Sequence, residues 1–191
     1  MLNTMIDAHV RCLENLKAIA PALDRVGEIL LQCLLGGGKL LICGNGGSAS
    51  DAQHFAAEIV GRFEKERRAY PAVALSTDTS ILTAVGNDYG YREVFARQVE
   101  GLGRPGDMLL GISTSGNSEN VIRAVQRAGS LDMQTVGLLG QDGGALKGLV
   151  DRAIVVDSVT TARIQETHIF ILHYWAWRIE SGLPRTRGDQ L

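Results

Sequence analysis

The chain has 191 residues, 45% hydrophobic and 21% charged, which gives room for one domain with a sizeable core and the balance of a water-soluble globular protein. A formal charge of -2 excludes general nucleic-acid binding through a basic surface, leaving only local positive pockets built from loop amides and a few arginines. No apolar run reaches the ~18 residues of a membrane span, and Asp7, His9, Arg11 and Glu14 break up the N-terminal apolar positions, so the reading is no membrane, no signal peptide and a cytoplasmic location.

Leu2, Ile6, His9, Leu13, Leu16 and Ala20 recur at helical spacing, and Pro21 opens a second helix carrying Leu23, Val26, Leu30 and Leu34, ended by Gly36-Gly37-Gly38. Apolar runs follow at Leu40 to Cys43, Ala72 to Leu75, Met108 to Ile112, Thr135 to Leu139 and Ala153 to Val156. Between them lie predicted helices at about 48–60, 91–100 and 117–128, and shorter helical stretches at 80–85 and 143–149. This β-then-α alternation predicts a parallel sheet with its functional edge at the strand C-termini. Asn87-Asp88-Tyr89-Gly90 reads as a turn near that edge, placing Asp88 within reach of a sugar hydroxyl.

The final helix, about 161–181, is apolar nearly all round between Ile169 and Ile179, so it must be buried; a subunit interface accounts for that at the end of a small domain. Residues 1–191 thus read as a single domain, with an N-terminal helical region over 1–35 and a flexible tail over 182–191. Cys12, Cys33 and Cys43 are odd in number and at no metal-like spacing, which fits reduced thiols acting as small hydrophobes. The mixed charges from Arg62 to Arg68 read as a solvated helix end, with Arg62 still able to reach into the cleft.

Two loops carry the chemistry. Gly44-Asn45-Gly46-Gly47-Ser48 and Ser113-Thr114-Ser115-Gly116-Asn117-Ser118 each follow a strand and open a helix. The first N–H groups of a helix lack intrahelical partners and lie at the positive end of its dipole, so they bind anions, while Ser and Thr hydroxyls complete a phosphate's shell. Four hydroxyls in six positions exceed what one helix cap uses, and no GxxxxGK[ST] signature is present, so a phosphorylated small molecule is expected rather than a hydrolysed nucleotide. The helix after the first loop sets Asp51, His54 and Glu58 on one face. His173 and Gln165 lie on the last helix, eight residues or about 12 Å apart, so if both act at one atom, neighbouring chains are expected to share sites.

The blocks GNGGSASDAQHFAAE, TDTSILTAVGNDYG, LLGISTSGNSENVI and ARIQETHIFILH occur in that order over about residues 40 to 175, and together they resemble the phosphoheptose isomerases, a branch of the sugar isomerase (SIS) domain family. The resemblance implies a five-stranded flavodoxin-like parallel sheet flanked by helices, a homotetramer, and isomerisation of sedoheptulose 7-phosphate to D-glycero-D-manno-heptose 7-phosphate for heptose and surface-glycan synthesis, lipopolysaccharide included. It implies Glu58 and His173 as catalytic residues and Ser113, Thr114, Ser115 and Ser118 as the phosphate loop. Asn45, Gly46, Gly47, Ser48, Asp88 and Gln165 fall in its substrate-binding set, and His54, Glu58, Gln165 and His173 match the zinc ligands of some members. A nonenzymatic SIS adaptor that binds the bacterial replication initiator has similar loops but no use for an acid and a base in one cleft. An isomerase of another sugar phosphate is the remaining alternative, because the fold does not select the substrate.

Overall fold

The computed structural model describes residues 1–184. The five apolar runs form β1 (Leu40–Gly44), β2 (Ala72–Ala74), β3 (Met108–Ser113), β4 (Gln134–Gly140) and β5 (Arg152–Val156). They pair in parallel in the order β2-β1-β3-β4-β5. Every residue of β1 and β3 is buried, as a parallel strand covered on both faces requires. The chain moves outward from β1 to β2 on one side and from β3 to β5 on the other. Its switch point is therefore the β1/β3 pair, where Leu40 aligns with Met108 and Gly44 with Ile112, so the loops that follow these two strands emerge side by side.

Alternation along the strands divides the core in two. Leu40 and Ile42 face a layer built from α2 (Ala20–Leu35), α3 (Gly47–Val60) and α7 (Thr161–Gly182), with Leu30, Phe55, Ile59, Ile171 and Trp175 fully buried in it. Leu41 and Cys43 face α5 (Val94–Leu102) and α6 (Glu119–Gly129) through Phe95, Val99, Val121 and Val125, and α4 (Thr79–Tyr89) joins this layer through Leu82 and Val85. The N-terminal stripe forms α1 (Leu2–Asn15), linked to α2 by a single 3-10 turn at Leu16–Ile19, and Pro21 does sit in the first turn of α2. The three cysteines are free, with Cys12 and Cys43 buried.

Several local expectations are corrected. The predicted turn at 87–90 is helical in its first three residues: α4 extends through Tyr89, started by an Asp78 carboxylate that accepts the Ile81 N–H at 2.9 Å and stopped by Gly90 at φ +87°. The helix expected from residue 91 begins as a 3-10 turn, Tyr91–Glu93, and the stretch at 143–149 is one 3-10 turn, Ala145–Gly148. Within one chain α7 is buried on one side, and the subunit interface expected for its remaining apolar face is a separate matter from this packing. Ile171, Leu172, Trp175, Ala176 and Ile179 pack inward, with the Trp175 indole N–H donating to the Leu23 carbonyl at 3.0 Å, while Phe170 and Trp177 remain 50% and 43% exposed. Of the tail expected over 182–191, Gly182 ends α7 and Leu183 is buried, and residues 185–191 lie outside the described residues.

Candidate functional site

The first loop leaves β1 through Asn45 and turns at Gly46, whose φ of +57° suits glycine, before α3 begins at Gly47. Gly47 is bare for a second reason: a Cβ there would run into the side-chain amide of Gln165, which α7 lays across the start of α3. Ser48 is buried in the first turn. Asn45 exchanges two amide hydrogen bonds with Asn120 on α6, at 2.8 and 2.9 Å, and accepts a third from the Tyr91 hydroxyl at 3.3 Å. This reciprocal pair ties the first loop to the helix opened by the second. Nothing local in the sequence marks Asn120 or Tyr91, whose partner Asn45 lies 75 and 46 positions away.

In the second loop, Ser118 stands at the N-cap of α6 yet makes no capping bond with its side chain; its hydroxyl lies 3.0 Å from that of Ser113 instead. The N-terminal turn of α6 is thereby left without its side-chain acceptor, the condition under which a helix start takes an anion. Ser115 accepts the Asn117 N–H at 3.2 Å and keeps its own proton to donate, and Thr114 is half-buried beside it. Gly116, at φ +66°, holds the loop against Gly143 and Gly144. Asp88 is exposed, accepts a bond from the Asn87 amide at 2.8 Å, and lies three residues before Tyr91.

His54, Glu58 and His173 converge. The His54 Nε2 is 3.1 Å from Glu58 Oε1 and 2.9 Å from His173 Nε2, and one donor atom from each of the three residues lies within 4.8 Å of the others. Burial lowers the His173 imidazole from its usual range, and the neighbouring His54 lowers it further against the pull of Glu58. The Phe63 ring covers one side of it, 5.6 Å between centroids. One turn before His54, burial pushes the half-buried Asp51 carboxyl up to about 6, opposed by His54. Glu58 and His173, implied as the catalytic pair, meet within one chain. Gln165 belongs to the same chain's cleft but meets the Gly47 end of α3.

Two imidazole nitrogens and a carboxylate oxygen this close repel unless a proton or a cation lies among them. A tetrahedral zinc ion at about 2.0–2.1 Å from each nitrogen spaces its ligands by roughly 3.3 Å, near the separations seen here, so the donor set fits that ion. The mixed-charge run also departs from expectation: Arg67 within it is buried, pointing inward to Glu180 of α7. A sequence pattern of alternating charges gives no sign of which member turns in.

Residues 6–140 match the SIS domain family. The chain is 50% identical over 181 residues to the phosphoheptose isomerase of Helicobacter hepaticus, covering 95% of this chain and 92% of that one. Among solved structures it resembles phosphoheptose isomerase GmhA from Neisseria gonorrhoeae, at TM-score 0.89 and 47% identity over 94% of this chain and 97% of the other. A phosphoheptose isomerase from Francisella tularensis gives TM-score 0.91 and 40% identity over 94% and 96%.

Proposed function

The chain belongs to the SIS domain family, within its phosphoheptose isomerases, and from that premise we propose that it converts sedoheptulose 7-phosphate to D-glycero-D-manno-heptose 7-phosphate. One observation carries the mechanism: a carboxylate and an imidazole meet beside two helix-opening loops at the sheet's switch point. In this reading the Ser113, Thr114, Ser115 and Ser118 hydroxyls and the start of α6 hold the phosphate, supplying remote binding energy that positions the reacting carbons. Asn45, Gly46, Gly47, Ser48, Asp88 and Gln165 contact the sugar.

Glu58 has one oxygen turned to His54, and its other oxygen takes the proton from the hydroxyl-bearing carbon beside the ketone and returns it to the former carbonyl carbon. His173 gives a proton to the carbonyl oxygen as the cis-enediol forms and recovers one from the adjacent hydroxyl as the aldehyde forms. One ring nitrogen serves both transfers in turn, giving its proton to one oxygen and taking one back from its neighbour. His54, Glu58 and His173 would hold zinc, and Gln165, kept from His173 along the same helix, would complete the set only from a neighbouring chain; when bound, the ion would supply Lewis acidity to the substrate oxygens.

We further read the protein as a homotetramer whose substrate clefts are bordered by neighbouring subunits. Supporting this is an apolar groove of about 450 Å³ between α1, α2 and α7, lined by Val10, Leu13, Leu23, Phe170 and Tyr174. Phosphorylated sugars are intracellular metabolites, which carries a cytoplasmic location with it. Among the described residues no helix is long and apolar enough to cross a membrane. An adaptor role loses ground because the relatives at about 50% identity are isomerases and the acid–base pair is intact.

The test is proton NMR of purified protein with sedoheptulose 7-phosphate in heavy water, with and without a chelator, beside Glu58→Gln and His173→Ala. The expected result is aldose formation with deuterium entering at the carbon next to the carbonyl, and a loss of about 10²–10⁴-fold in each variant. Turnover by both variants at the parental rate removes the assignment.

A further inference from the structure

We propose that Arg67 and Glu180 are positioning residues, a buried ion pair that sets the separation of Glu58 and His173 by fastening the end of α3 to α7. The proposal rests on the isomerase reading above. Both side chains are almost fully enclosed, at 4% and 3% exposure, with Arg67 Nε 3.5 Å from Glu180 Oε1. Arg67 donates to the carbonyls of Glu58, Ile59 and Gly61 at 2.6, 2.9 and 3.1 Å, and to that of its neighbour Arg68 at 3.0 Å. The first three are carbonyls at the end of α3, which have no partners inside the helix, so the guanidinium caps that helix at the negative end of its dipole. One of them is the backbone of the proposed base itself.

Glu180 completes the other half. It accepts the N–H groups of Phe63, Glu64 and Lys65, each at 2.9 Å, drawing the segment after α3 onto α7. Phe63 is the residue whose ring lies against His173. Glu180 follows His173 by seven residues, two helical turns and about 10 Å along one face of α7. The pair therefore reaches the base through its own carbonyl, and the imidazole through the Phe63 ring and the α7 backbone. Buried ion pairs contribute little net stability compared with apolar packing of the same volume, yet removing one partner strands the other charge. A pair that joins the two helices carrying the acid and the base is well placed to fix their geometry.

A second, partly buried ion pair serves as control. Asp107 holds the Lys39 ammonium and the Lys39 and Arg104 N–H groups at the opposite, N-terminal edge of the sheet, touching none of the proposed site residues. The experiment compares Glu180→Gln, Arg67→Lys and Phe63→Leu with Asp107→Asn, measuring kcat, KM for sedoheptulose 7-phosphate, melting temperature and the His173 imidazole NMR signal, assigned by its loss in His173→Gln. Expected are a kcat decrease of about 10- to 100-fold with KM within about threefold, since the phosphate loop is untouched, and a displaced His173 signal. Asp107→Asn should lower the melting temperature while keeping parental kcat and signal. Should Glu180→Gln not fold, Arg67→Lys keeps the charge and Phe63→Leu trims only the ring, and both stay informative. Folded variants with parental kcat and an unmoved signal overturn the proposal. A parent protein without isomerase activity refutes the functional reading instead, while a displaced His173 signal in the same variants still supports the positioning role.

Discussion

Replacing Gly116 with alanine tests the phosphate loop at its most constrained atom. The residue sits at φ +66°, where a Cβ costs about 1–2 kcal/mol. The new methyl would also overlap the Gly143 carbonyl and come within 2.7 Å of the Gly144 nitrogen, and overpacking of this kind costs about 1–3 kcal/mol. Those neighbours cannot retreat cheaply. Gly143 N–H donates to Gly140, Gly144 N–H to Asp142, Ala145 N–H to Asn117 and Leu146 N–H back to Gly116, all at 3.0 Å. The sum, about 2–5 kcal/mol, is within the 5–15 kcal/mol of a typical domain, so the variant folds but melts earlier. Whichever side yields, Ser115 and Asn117 move, and loss of one charge-assisted bond to phosphate, about 1.5–3 kcal/mol, raises KM by roughly 10- to 100-fold. Gly37→Ala is the comparison: its φ is +85° with nothing within 4 Å of a Cβ, so it carries the backbone cost alone. Urea melts and steady-state kinetics of both variants decide the matter. Gly116→Ala with parental KM and a stability loss no larger than that of Gly37→Ala would refute the reasoning.

Zinc binding measured by calorimetry on metal-free protein should weaken at least tenfold in His54→Ala, and equal affinity in parent and variant would dismiss His54 as a ligand. Burial pushes the Glu180 carboxyl upward, but the three N–H bonds and Arg67 outweigh it and hold it below the usual carboxylate range. A carboxyl depressed on folding stabilises fully above its unfolded pKa of about 4.3, and that contribution disappears as pH falls through the folded value. The stability gap between parent and Glu180→Gln, read from urea melts, should thus be constant from pH 7 to 5 and shrink below about pH 4. A gap that widens on acidification has the wrong sign. Phe170→Asp places a charge in the exposed apolar face of α7 and should shift the mass found by light scattering toward smaller species; a parent that is monomeric at assay concentration contradicts the tetramer.

The strands were legible because each is an unbroken apolar run, which only a sheet covered on both faces accommodates, and all five appear within one or two residues of their predicted limits. Helix ends were less legible, since they depend on caps such as Asp78 that resemble ordinary turn residues. In the site, the two loops and the His54–Glu58 spacing are local signals. Asn120, Tyr91, Arg67 and Glu180 are not: each acquires its role from a partner brought close by the topology, and a buried arginine looks in sequence like its solvated neighbours Arg62 and Arg68.

The most instructive departure concerns the two helices that frame the cleft. Eight residues separate Gln165 from His173, and a rise of about 1.5 Å per residue rightly keeps them from one atom. That distance is matched on α3, where Gln165 meets Gly47 and His173 meets His54 seven residues later. α3 and α7 therefore run side by side in the same direction and nearly in step, and a second chain is not needed to bring base and imidazole together. Under the proposed function, a substrate lying along these helices would have its polar contacts spread over two turns, with Gly47 and Gln165 near one end and the Glu58–His173 pair toward the other. An extended sugar phosphate uses such a cleft fully, whereas a compact ligand held at the anion loops leaves the acid and base unengaged. Chain length should accordingly act on kcat more than on KM, because the phosphate contacts are common to all sugar phosphates and only a sugar of sufficient reach presents its carbonyl between Glu58 and His173.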